Sequence, residues 1–132
     1  MHKLLGFLCF TFVCCFLTNI GYCQKDIIAD TQVKFGNENY DGALKNYLTL
    51  RQKDSNNLDY CYNIAVCYLY TNVNKTKAIP YLEKVLKLEE KHYPDAVYLL
   101  ARAYHYAYRF DEAIKTYKKY REKGKGKSEY LK

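Results

Sequence analysis

The residues best suited to chemistry crowd between Tyr98 and Tyr120, in "YLLARAYHYAYRFDEAIKTYKKY". Tyrosines stand there beside Arg102, His105, Arg109 and a run of lysines. A histidine paired with a carboxylate would do acid–base work. Rings interleaved with cations would stack nucleic-acid bases or line a groove for an extended peptide. Catalysis finds little support. Glu83, Glu89 and Glu90 alternate with Lys84, Lys87 and Lys91 at i, i+3 and i+4 spacing, the pattern of a solvated helix face. The chain has no glycine-rich phosphate loop, serine-nucleophile motif or zinc-type histidine pair. Its three histidines, His2, His92 and His105, have no metal-ligand spacing. The expectation is no enzyme, no cofactor and no metal.

The cysteines divide by position. Cys9, Cys14, Cys15 and Cys23 fall in the first 23 residues, leaving Cys61 and Cys67. Six residues apart on one helix, those two are about 9 Å apart along its axis and cannot pair with each other there. They read as small apolar core residues.

Length and composition bound the rest. The 132 residues are 49% apolar, with only six glycines and two prolines, which favours one helical domain. Residues 1–23 differ in character from the remainder of the chain. Met1-His2-Lys3 is a short basic start, Leu4 to Ile20 is almost uncharged, and Gly21 and Cys23 place small residues before Gln24. This is the pattern of a secretory signal peptide cut after Cys23. An uncleaved anchor and lipid attachment at Cys23 are the alternatives. The net charge is +7, and removing Lys3 with the leader lowers it to +6. The excess lies late: Lys115 to Lys132 holds eight Lys and Arg against Glu122 and Glu129.

Internal periodicity organises the sequence after the leader. "NIAVCYLY" (63–70) aligns with "LLARAYHY" (99–106), matching Ile64 to Leu100, Ala65 to Ala101 and Tyr68 to Tyr104. "YDGALKNY", "KTKAIPYL" and "FDEAIKTY" place Ala43, Ala78 and Ala113 at intervals of 35. The chain therefore reads as three copies of a two-helix unit. In the third, Val97, Leu100, Ala101 and Tyr104 form one apolar stripe, and Ala113, Ile114, Tyr117 and Tyr120 a second. The small residues predict close helix approach. Asp111 is placed to cap or charge a helix start. Thr76 would cap the second copy's second helix, with Pro80 in its first turn. The predicted helices are 26–37, 40–53, 57–71, 75–90, 94–107 and 110–123.

This pattern resembles the tetratricopeptide repeat. The third copy carries Val97, Leu100-Ala101, Tyr104, Phe110, Ala113, Tyr117 and Tyr120 at the family's spacings; the first is degenerate, with Thr31 where a small residue is usual. The resemblance implies an all-α, right-handed solenoid of three helix pairs over 24–123, after a leader at 1–23 and before a basic tail at 124–132. It also implies a non-catalytic scaffold for protein–protein interaction. With its leader, the chain further resembles the N-terminal repeat module of Gram-negative envelope proteins with an OmpA-like peptidoglycan-binding domain. That likeness implies export to the periplasm or outer membrane, with a structural spacer in a truncated protein as the alternative.

First helices line the concave face of such a stack. The residues off their core stripes are Tyr62, Val66, Leu69 and Tyr70 in the second copy, and Tyr98, Arg102, His105 and Tyr106 in the third. Together they predict an aromatic groove with one cation, fitted to a protein or an extended peptide. The carboxylate-holding residues of some family members are not matched: only Asn63 agrees, while Ile28, Asp95 and Leu99 differ. No nucleic acid is expected, because the repeat commits Tyr68, Tyr104, Tyr117 and Tyr120 to packing. The last helix has no evident cap, so its edge at Ile114, Tyr117 and Tyr120 is expected to be partly bare, which implies a missing C-terminal part, self-association or a partner helix, as in an envelope complex.

Overall fold

A computed structural model describes residues 25–72 and 74–123. The expected leader and the basic tail lie outside the described residues. The chain is helical in three successive pairs: α1 over 25–36, α2 (Tyr40–Lys53), α3 (Leu58–Tyr70), a 3-10 turn (Lys75–Lys77) leading into α4 (Ala78–Glu89), α5 (Ala96–Tyr106) and α6 (Phe110–Lys123). No strand occurs among the described residues.

Local sequence sets these boundaries. The Asn39 side chain accepts the Gly42 N–H at 3.1 Å ahead of α2, and Asn57 accepts that of Tyr60 at 3.1 Å ahead of α3. Each satisfies one of the orphan donors of a helix start. At the third such point Asn74, rather than Thr76, takes the capping role: its side chain accepts the Thr76 N–H at 3.1 Å. Pro80 is the third residue of α4, in the first turn, where no backbone donor is required of it. Asp111 and Glu112 stand in the first turn of α6, where acidic side chains favour the helix dipole.

The turns within the first and third copies are alike. Glu38 and Tyr108, 70 residues apart, have φ of 59° and 58°. The N–H after each reaches back five residues, Asn39 to Lys34 at 2.9 Å and Arg109 to Tyr104 at 3.0 Å. This is the left-handed C-cap that reverses a helix without a long loop. Two residues later the second helix of the copy begins.

The core runs between the pairs. Ala43, Ala65, Ala78 and Ala101 are fully buried, and Ala113 is nearly so, which lets helix axes approach closely. α3 packs against α2, α4 and α5 and is buried at Cys61 and continuously from Ile64 to Leu69. Cys61 and Cys67 are both free thiols within it.

Many tyrosines place a ring in the core and a hydroxyl on a polar group of another helix. Tyr47 accepts from Asn63 at 3.1 Å, Tyr93 donates to Asp59 at 2.6 Å, and Tyr104 donates to Glu83 at 2.7 Å. Tyr120 reaches Asp95 at 3.4 Å. It is 7% exposed and packs on Tyr98. The edge of α6 is partly bare: Ile114 is exposed and Tyr117 half-buried, while Tyr120, expected at the same edge, is inside.

Candidate peptide-binding surface

The predicted groove residues separate into those the fold gathers and those it does not. Tyr70 closes α3, and Arg102 stands in the C-terminal half of the neighbouring α5. Arg102 Nη1 donates to the Tyr70 hydroxyl at 3.2 Å, and its guanidinium carbon lies 5.0 Å from the Tyr70 ring centre and 5.9 Å from that of Tyr98. Burial opposes the charge of Arg102, but hydrogen bonding to Tyr70 and Tyr106 outweighs it and raises its pKa above the ordinary value. A half-buried cation is thus held between rings, in the geometry that guanidinium groups favour.

Two residues outside the prediction complete this surface. Tyr40, which opens α2, stacks on Tyr70 with ring centres 5.2 Å apart and planes at 29°. Lys75, which opens the 3-10 turn, lies 5.2 Å from the Tyr106 ring centre. Its ammonium also donates to the Leu69 and Thr71 carbonyls, both at 2.7 Å. Tyr40 and Lys75 are 35 residues apart, so the repeat register is the signal that pairs them. Tyr70 and Tyr106 remain 48% and 44% exposed, available to a ligand.

The other predicted residues lie elsewhere. Val66 and Leu69 are 9% and 1% exposed and belong to the core rather than to a surface. Tyr62 stacks on Tyr93 at 5.2 Å, in a separate aromatic pair two helical turns from Tyr70. His105 is exposed and meets the edge of Phe110 at 5.7 Å. Asn63 is engaged by the Tyr47 hydroxyl.

Among the described residues no group of three or more His, Cys, Asp or Glu is placed to hold a metal ion. Cations and rings, with backbone carbonyls already engaged by Lys75, offer recognition through stacking and charge.

No curated protein matches the chain. Residues 76–132, which contain α4, α5 and α6, match the family model described as a tetratricopeptide repeat, in agreement with the helical-repeat fold of the three pairs.

Proposed function

We propose that the protein is a non-catalytic scaffold that binds an extended peptide or protein segment across the ends of its first helices. The observation that carries this reading is the Tyr70–Arg102 pair, with Tyr98 and Tyr106 beside it. A cation fixed by its own tyrosines loses little side-chain entropy when a ligand arrives, so its charge and donors are pre-organised. Arg102 favours a carboxylate or backbone carbonyl of the ligand, and the half-exposed rings of Tyr70 and Tyr106 stand beside it for apolar contact. Repeat scaffolds of the matched family bind proteins or peptides, which supports this choice over catalysis.

The proposed setting is the cell envelope, resting on the leader pattern of residues 1–23. Fractionation of the producing cells, with mass spectrometry of the mature N-terminus, tests that part. Recovery of an intact N-terminus in the cytosol would count against it.

The binding reading is tested with a displayed random-peptide library panned on the purified chain and on Arg102→Glu. The expected result is peptides enriched on the wild-type chain and lost on the variant, with unchanged helical circular dichroism. Equal enrichment on both would remove this surface from consideration.

A further inference from the structure

Contacts between successive copies recur at fixed positions. The residue that opens the second-helix segment of one copy meets the ring that closes the first helix of the next. Tyr40 meets Tyr70 in this way, and Lys75 meets Tyr106. Phe110 is third in the series, 35 residues after Lys75. It is 51% exposed, with His105 of its own copy at its edge. Ile79 and Ile114 show the same break. Ile79 is 9% exposed on α4, the helix against which α5 packs, whereas Ile114 at the matching place on α6 is 52% exposed. The far side of α5 and α6 is therefore a junction surface that no further described helix covers.

The near side of α1 is shaped as the other half. Thr31 stands where Ala65 and Ala101 stand. In that register Asp30 matches Ile64 and Leu100, and Val33 matches Cys67 and Ala103. All four internal residues are buried, Leu100 being the most exposed at 7%. In contrast, Val33 is 61% exposed and the Asp30 side chain 52%. Gly36 takes the place of Tyr70 and Tyr106, and no side chain fills the space beside it, so it offers a flat seat for a ring.

Charge gives the two ends a direction. In line with Ile114 on α6, Lys118 replaces Glu83 and Arg121 replaces Leu86, and both are exposed, which makes that strip of the far side basic. The near side presents Asp26 and Asp30, the latter already accepting from Lys34 at 2.6 Å and from the Asn46 amide of α2 at 2.8 Å. Two basic far sides repel each other, while a far side and a near side attract.

We infer that the chain self-associates head to tail. The far side of α5 and α6 in one copy receives α1 of a second copy, with Phe110 over Gly36 and Ile114 against Val33. The contact repeats the internal junction between copies, independently of the peptide surface. Being heterologous, it leaves one unused face at each end and extends beyond a dimer.

Sedimentation velocity of the purified chain at rising concentration, in low and high salt, tests this together with two substitutions. Ile114→Asp blocks the far side and Val33→Gln the near side, both at exposed helical positions where folding is checked by circular dichroism. Wild-type association is expected to grow with concentration and weaken with salt. Each single variant should weaken it by roughly tenfold or more, from the lost apolar contact. An equimolar mixture of the two variants should recover a dimer and nothing larger, since it retains one intact pair of faces. A chain that stays monomeric, or association that either substitution leaves untouched, overturns the proposal. Loss with Ile114→Asp alone would instead indicate pairing of two like far sides.

Discussion

Arg102 and Tyr70 join the second and third helix pairs through one hydrogen bond of 3.2 Å and one cation–ring contact of 5.0 Å. The contact that ties the copies together is also the one that would hold the cation toward the proposed ligand. Replacing Arg102 by alanine should cost about 1 kcal/mol of stability, from a lost neutral–cation hydrogen bond and stacking contact. Ligand affinity should fall by more than stability does. Arg102→Lys should leave the fold intact yet fail to restore binding, since an ammonium cannot stack flat between Tyr70 and Tyr98. Urea denaturation beside titration with a peptide selected on the wild-type chain separates the two effects.

Tyr47 and Tyr104 make stability depend on alkaline pH. Burial pushes both phenols up to about 12, and the hydrogen bond to Glu83 adds to the effect at Tyr104. Below their ordinary value of 10, folded and unfolded chains hold these protons alike. Between 10 and about 12 the unfolded chain releases protons that the folded chain keeps, so stability falls as pH rises through that window. Burial raises the Cys67 thiol from 9.0 to about 12 in the same way, so the urea midpoint should be flat up to pH 9, begin to decline there, and fall more steeply above pH 10. Tyr104→Phe should lower the midpoint at neutral pH by the equivalent of about 1 kcal/mol and make the alkaline decline shallower.

The helices and their pairing were legible because alanines at fixed spacing have one packing consequence wherever they recur. The groove was legible only in part, for a reason visible in α3 and α5. Sequence treats the two as equivalent, yet α3 is enclosed by α2, α4 and α5, so Val66 and Leu69 are buried. Their counterparts Arg102 and His105 sit in the last described copy and reach the surface. Position within a finite stack, not residue type, decides between these fates, although the polar character of Arg102 and His105 agrees with it. Tyr40 and Lys75 escaped the prediction because they begin second-helix segments and look toward the next copy. The capping role at Asn74 was hidden by the 3-10 turn inserted before α4.

Acid should loosen α6. Lys119 and Lys123 both reach Glu90 Oε1 at 2.7 Å, joining α6 to the residue after α4. These two lysines hold the Glu90 carboxyl below its ordinary value of 4.5. Its contribution is present above that ordinary value and is lost as pH falls through the lowered one, where the folded carboxylate takes up a proton. The Glu90 side chain is 29% exposed, so the stake is small, about 0.5–1 kcal/mol. The protection factors of α6 amides, with the intrinsic pH dependence of exchange divided out, should fall below pH 4.5 in the wild-type chain. Arg109 and Glu112 form a second ion pair at the start of α6. The part belonging to Glu90 is therefore the part missing from Glu90→Gln, whose α6 should exchange faster at neutral pH and respond less to acid.

The turn residue Tyr108 offers stability that the natural sequence forgoes. Its φ of 58° lies in the left-handed region, where a β-carbon crowds the following carbonyl at a cost of about 1–2 kcal/mol. At 81% exposed, its ring recovers little of that cost by burial, although it touches Phe110 edge-on at 6.0 Å. Asparagine tolerates this conformation, so Tyr108→Asn should raise stability by several tenths to about 1 kcal/mol. Tyr108→Val should lower it by a similar amount, because a β-branched residue suits the left-handed region least. Glu38, at the same place in the first copy with φ of 59°, should respond to asparagine in the same direction. Thermal unfolding of the three variants checks the ordering. If Tyr108→Asn melts below the wild-type chain, the Tyr108–Phe110 contact contributes more than the strained backbone costs.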